Sequence, residues 1–171
     1  MTHISSRLIT WLLFLGCTAT ILAALAFQYL GGLKPCELCL LERLPYYAGV
    51  PLTLAAVFTA REANFGHLPI IILALCALVF LTGTGLGLYH VGVEQRWWVG
   101  PAACTGTFIM PTNAADLQSA LSGARVVRCD VPAWTFLGIS MAAWNMLISA
   151  VLTLLAAVPV RRFLRDARGE E

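Results

Sequence analysis

The sequence predicts an all-α integral membrane fold: a four-transmembrane-helix bundle with two extracytoplasmic loops, the second holding a short amphipathic helix. Three observations carry this reading. Of the 171 residues, 59% are hydrophobic and only 12% charged, where a soluble domain has about a quarter, and the mean hydropathy is +0.80. Long uncharged stretches recur, close to the ~20 residues a spanning helix needs. The cysteines sort by segment: Cys17 and Cys76 fall inside apolar stretches, whereas Cys36, Cys39, Cys104 and Cys129 fall between them. The chain reads as one membrane domain over residues 1–171. Its net charge of +2 comes mostly from C-terminal arginines and it has a single lysine, Lys34, so nucleic acid is not an expected partner.

The first span is expected over residues 8–30, which are 23 residues without a charge. Arg7 and the Ala23-Ala24-Leu25-Ala26 stretch resemble a signal peptide, but the run exceeds the roughly 7–15 residues of a signal h-region. Trp11 and Tyr29 suit the two interfaces, and Gly31-Gly32 ends the helix. The second span, 44–60, is short; it reaches full length only if its helix begins near Pro35 or Cys36, where proline is tolerated in a first turn. Pro45 and Pro51 then lie inside the helix and bend it. A polar turn over 61–67 follows, with His67 in solvent. In the third span, 68–89, Gly83 and Gly87 stand four apart and permit close helix approach.

Residues 90–132 are polar. Trp97-Trp98 beside Arg96 reads as an interfacial anchor. A short amphipathic helix is expected over 114–122, capped by Asn113 and ended by Gly123. The fourth span covers 134–158, closed by Pro159 and by Arg161, Arg162, Arg165 and Arg168.

Four spans put both termini on one side and the loops 31–43 and 90–132 together on the other. Four cysteines then share one membrane face, while Cys17 and Cys76 read as packing residues. The termini and the 61–67 turn carry six arginines against five basic residues in the opposite loops. The positive-inside rule thus favours cytoplasmic termini slightly, and an oxidising compartment for the cysteine loops points the same way.

Cys36-x-x-Cys39 has redox spacing. A helix N-terminus and a nearby cation both stabilise a thiolate, and Arg43, permanently charged, stands at i+4 from Cys39 on the same helix face. Glu37 and Glu42 oppose this locally. The alternative for Arg43 is an interfacial anchor paired with Glu42 or a lipid phosphate. Cys104 and Cys129 are too far apart for a redox motif. They suit a structural disulfide, or a second pair that exchanges with the first. Zinc on the four thiols lacks a second CxxC, and no metal is expected. His3 carries no signal. His90, at the end of the third span on the cysteine face, suits a donor to a quinone carbonyl or a plain interfacial histidine.

Lys34-Pro35-Cys36-x-x-Cys39-x-x-Glu42-Arg43, four spans, and a second cysteine pair between spans three and four together resemble the disulfide bond formation protein B (DsbB) family. Cys129-Asp130-x-x-x-Trp134-x-Phe136-Leu137-Gly138 resembles that family's entry into its last helix. The likeness covers essentially the whole chain; the segment 90–101, with its Trp97-Trp98 pair, departs from the best-known members. The resemblance implies a multi-pass protein of the bacterial inner membrane with periplasmic cysteine loops. It implies a thiol:quinone oxidoreductase that reoxidises a periplasmic DsbA-like thioredoxin-fold protein and passes two electrons to ubiquinone or menaquinone. By resemblance, Cys104 takes the partner's attack, Cys129 exchanges with Cys36, and Cys39 is left as the thiolate facing quinone. Arg43 and His90 would contact the quinone. Two other readings stand beside it: a quinone reductase of the vitamin K epoxide reductase type, whose CxxC usually lies late in the chain, and a non-enzymatic membrane protein stapled by two disulfides.

Overall fold

The computed structural model describes residues 6–60, 67–101, 104 and 127–169. Its elements are α1 (Ser6–Tyr29), α2 (Glu37–Leu41), α3 (Leu44–Thr59), α4 (His67–Glu94), a hairpin of β1 (Thr135–Phe136) and β2 (Ile139–Ser140), and α5 (Met141–Ala167). The 61–67 turn before His67 and the amphipathic helix expected over 114–122 lie outside the described residues.

Three helices, α1, α4 and α5, are long and apolar enough to cross a membrane. They have 24, 28 and 27 residues, or roughly 36–42 Å at 1.5 Å per residue. α3 has 16 residues, about 24 Å, and falls short of the ~30 Å hydrocarbon core. The long helices pack as a ring: α1 on α3, α3 on α4, α4 on α5, and α5 back on α1. Ile9, Leu13, Cys17 and Ile21 form one stripe of α1 and meet Tyr46, Leu73, Cys76 and Phe80 in the core. The outward faces are apolar too, with Leu15, Leu22, Leu78 and Leu154 more than half exposed. A helix apolar on both faces suits a protein interior on one side and lipid on the other.

Gly83 and Gly87 face α5. A Cβ on Gly87 would stand 2.9 Å from the Met146 backbone, and one on Gly83 would stand 3.0 Å from Ser149 Oγ. The small-residue spacing thus marks a close approach of α4 and α5. One core hydrogen bond crosses the bundle here, between Tyr46 Oη and Ser149 Oγ at 2.7 Å.

The structure corrects three boundaries. First, the helix that begins at the CxxC does not run on into the second span. α2 ends at Leu41, and Glu42 and Arg43 form a turn before α3. Pro45 supplies the reason: in a continuous helix its ring would clash with the carbonyl of the residue four before it, which is Leu41. Pro45 therefore sits in the first turn of α3, where a missing N–H does no harm, and only Pro51 lies inside that helix. Second, α4 continues past Tyr89 to Glu94. Third, the last helix starts at Met141, not at Trp134. Residues 134–140 form a hairpin pairing Thr135 with Ser140 and Phe136 with Ile139. Leu137 and Gly138 both have positive φ, 53° and 78°, as a two-residue hairpin turn of the primed type requires. Ser140 then caps α5, its Oγ accepting the Ala143 N–H at 3.2 Å. Pro159 lies inside α5, which carries the arginines on to Ala167.

His67 opens α4 in an exposed position, with its ring edge-on to Phe163. Trp98 folds back over the end of α4, stacking on Tyr89 and donating its indole N–H to the Tyr89 carbonyl at 2.9 Å. Gly92 makes room for it: a Cβ there would overlap the Trp98 ring at 2.0 Å.

Candidate active site: a buried dithiol beside a second cysteine pair

Cys36 is the N-cap of α2, and its sulfur accepts the Cys39 backbone N–H at 3.2 Å. One turn of helix brings Cys39 Sγ to 2.6 Å from Cys36 Sγ. The two are unbonded, with Cys36 buried and Cys39 half-buried. Cys104 and Cys129 form a disulfide with Cα atoms 5.1 Å apart. All four cysteines gather in one apolar cluster, in which Cys36, Cys104 and Cys129 pack with Leu38 and Val93 while Cys39 and Val127 lean against it. The structure thus brings together the two pairs that the sequence could assign only to a common membrane face.

The two thiols of the open pair are inequivalent. The Cys39 thiol and backbone N–H both donate to Cys36, holding the Cys36 thiol below its ordinary range against the opposing effect of burial. Donation to Cys36, reinforced by burial, pushes the Cys39 thiol up. Cys36 is therefore the more acidic thiol of the pair.

His90 lies on α4 at the spacing of its buried face, following Phe80, Gly83 and Gly87. It is 3% exposed, buried within the protein. Its Nδ1 lies 2.8 Å from Glu42 Oε1 and its Nε2 lies 3.7 Å from Cys36 Sγ. Both ring nitrogens are thus engaged by protein groups. The turn that breaks α2 from α3 is what points Glu42, 7% exposed, into this site. Burial pushes its carboxyl above the usual range, against the pull of His90.

Arg43 does not share a face with Cys39. The helix break turns it toward α1, where it donates to Gln28 Oε1 and to the Ala24 carbonyl. It pairs neither with Cys39 nor with Glu42, whose carboxylate is taken by His90.

Cys36, Cys39 and His90 place three metal-type donors within 4.8 Å of one another. Two thiolates on one tetrahedral zinc stand ~3.8 Å apart, given Zn–S bonds of about 2.3 Å. A sulfur separation of 2.6 Å is that of a dithiol close to forming its own bond.

One cavity adjoins the dithiol and a second adjoins the first. The first is small and is lined by Cys36, Cys39, His90, Glu94, Arg128 and Met141, among others. The other, of about 310 Å³, lies between α1 and the start of α5 and is walled by Phe27, Trp134, Phe136, Met141 and Trp144. Met141 lines both. Asn145 also lines the larger cavity, and its Nδ2 is buried with no hydrogen-bond partner among the described residues.

Comparison with known proteins decides the family. The sequence pattern of the family described as "Disulfide bond formation protein DsbB" matches residues 6–159. The chain belongs to this family. Among its DsbB relatives, "Disulfide bond formation protein B" of Methylococcus capsulatus is 33% identical over 150 residues, covering 86% of this chain and 89% of that protein. The protein of the same description from Polaromonas naphthalenivorans is 32% identical over 165 residues, 91% of each, and that from Marinobacter nauticus is 29% identical over 163 residues. As a DsbB-family member with three long apolar helices, the chain is a multi-pass membrane protein of disulfide bond formation.

Within this DsbB-family site, sequence reasoning missed Glu42 as the partner of His90. It also missed the aromatic cavity, whose walls come from α1 and the 134–144 region. The signals were present but indirect: a carboxylate in the turn after the CxxC, and Trp134, Phe136 and Trp144 near one another ahead of and within α5.

Proposed function

We propose that the chain is a thiol:quinone oxidoreductase of the bacterial inner membrane, with cytoplasmic termini and periplasmic cysteine loops. α3 is its fourth crossing, with α2 at its mouth. Its thiol partner is a periplasmic DsbA-like thioredoxin-fold protein, and its electron acceptor is membrane ubiquinone or menaquinone. The observation that carries the reading is the gathering of both cysteine pairs in one buried cluster, beside a small cavity whose Met141 wall also belongs to an aromatic cavity.

The partner's dithiol attacks the Cys104–Cys129 disulfide at Cys104 and leaves oxidised. Cys129 then attacks Cys36 of a closed Cys36–Cys39 disulfide, releasing Cys39, and Cys104 closes on Cys129, releasing Cys36. The two electrons now rest on the Cys36–Cys39 pair, the arrangement described above. The aromatic cavity fits a flat quinone ring. Its volume is in the range of small-molecule sites, its walls are apolar, and Asn145 Nδ2 offers a donor with no partner among the described residues. Arg43 reaches the carbonyl of Ala24, a residue of the cavity wall, and so stands at its edge. Quinone, when bound, supplies the sink for two electrons and two protons.

The test is purified protein with reduced DsbA-like partner and ubiquinone, followed by quinone absorbance. Wild type should reduce quinone with loss of partner thiols, and Cys36→Ser or Cys39→Ser should abolish it. Cysteine-independent quinone reduction, or none, rules the reading out.

A further inference from the structure

The mechanism above moves electrons but leaves two thiol protons without a route. An unbroken chain of polar atoms leads away from the dithiol. Cys39 Sγ lies 2.6 Å from Cys36 Sγ, Cys36 Sγ lies 3.7 Å from His90 Nε2, and His90 Nδ1 lies 2.8 Å from Glu42 Oε1. Its last two members, Glu42 and His90, are buried and come from segments 48 residues apart. A buried carboxylate and imidazole carry a desolvation penalty that an apolar pair would avoid, so packing alone does not explain them.

We propose that His90 and Glu42 form the proton relay of the dithiol, with His90 as the catalytic acid–base group on Cys36 and Glu42 as its positioning residue. This rests on the oxidase reading only for the identity of the oxidant. An ionised carboxylate can only accept, so Glu42 takes the Nδ1–H of neutral His90 and leaves the Nε2 lone pair facing Cys36 Sγ. As the dithiol ionises, the Cys36 S–H bond breaks and its proton passes to Nε2, leaving a Cys36 thiolate that accepts from Cys39 and an imidazolium whose charge Glu42 balances. The imidazolium gives this proton up to the reduced oxidant, and the Cys39 proton then follows by the same route as the Cys36–Cys39 bond forms. The dithiol loses two electrons and two protons, which a quinone or another two-electron oxidant takes up. When Cys129 reduces the pair, protons return along the same atoms. The charged and titratable groups around His90 are Glu42 from the α2–α3 turn, Cys36 and Cys39 from α2, and Glu94 on its own helix; Arg128 lines the same cavity.

The full chain, reduced in detergent, is oxidised in rapid-mixing experiments by two probes: a short-chain ubiquinone and a soluble aromatic disulfide that needs the thiolate but no quinone. His90→Ala should slow both reactions at pH 7 by about 100-fold, the lower range for general acid–base catalysis. Its rate should climb with pH as solvent base takes over, and added imidazole should restore much of it. Glu42→Gln keeps shape and an acceptor, and should slow both by about 10-fold, a fraction of that effect. In the His90→Ala background Glu42→Gln should have no further effect, because Glu42 acts through His90. His90→Gln, which keeps volume and polarity, serves as the second variant if the alanine loosens the fold, and it should show the same pH-dependent loss. Unchanged pH profiles, no imidazole rescue in the folded alanine variant, or a Glu42→Gln effect that persists without His90 would overturn the relay. If wild type reduces no quinone yet the disulfide arm shows these signatures, the oxidase reading fails and the relay stands.

Discussion

Arg43 donates a hydrogen bond to Gln28, so the first residue of the α3 cap is tied to the last turn of α1, fifteen residues back in the chain. The same guanidinium reaches Ala24 on the wall of the aromatic cavity. On the proposed function, Arg43→Ala should raise the KM for quinone by about tenfold, equal to ~1.4 kcal/mol. Gln28→Leu should act in the same direction by less, since the charge stays but its tether is gone. Oxidation of the dithiol by a soluble aromatic disulfide should be unaffected in both. A quinone KM unchanged in Arg43→Ala removes this role.

The cavity itself can be filled. Ala23 lies on its wall, and Ala23→Phe should occupy the space a quinone ring needs. Steady-state assays should show a rise of at least about tenfold in quinone KM, or ~1.4 kcal/mol, with exchange between the partner and Cys104–Cys129 intact. Loss of partner exchange as well would mean the substitution disturbs the fold and not the acceptor site.

Cys36 and Cys39 should separate in a pH-dependent alkylation experiment read by mass spectrometry. Donation from Cys39 lowers the Cys36 thiol and raises the Cys39 thiol. Cys36 therefore stays a thiolate at pH values where an ordinary thiol is protonated, and its labelling should persist to lower pH than that of Cys39. Cys39→Ala removes the larger of the two donors and should move the Cys36 midpoint upward. Equal midpoints in the wild type would contradict the hydrogen bond.

Thiol trapping in cells distinguishes a relay from a pair of staples. When respiration is blocked, Cys36–Cys39 and Cys104–Cys129 should accumulate reduced, and a mixed disulfide on Cys104 should carry the partner. A structural staple would remain fully oxidised under the same block.

Helix packing gives a stability prediction. Gly87→Val drives a side chain into the Met146 backbone and should lower stability by about 1–3 kcal/mol, the usual range for overpacking, as a drop in thermal midpoint in detergent. Gly85 has open space where a Cβ would go, so Gly85→Ala should leave the midpoint unchanged or raise it slightly.

The membrane class, and the division of the cysteines between two inside apolar helices and four in the segments between them, were legible from residue order alone. Hydropathy over ~20 residues and a CxxC spacing are local properties that need no knowledge of what packs on what. Local signals also existed for features first seen in the structure. Pro45 stands four residues after Leu41 and stops α2, while Leu137-Gly138 and Ser140 set a hairpin turn and a helix cap ahead of α5. They are weak signals beside the uncharged runs over residues 44–60 and 131–160.

Tertiary structure alone decided where Glu42, Arg43 and His90 point. A helix carried unbroken through residue 43 puts Arg43 beside Cys39; the turn before Pro45 rotates Arg43 toward α1 and hands its place near the thiols to the Glu42–His90 pair. That pair joins segments 48 residues apart, and its contact depends on α2 packing against α4. Sequence sets which residue types are available and which segments can bury them. The packing of one helix on another sets which of those side chains meet, and here the contact of α2 with α4 makes His90 the neighbour of Cys36.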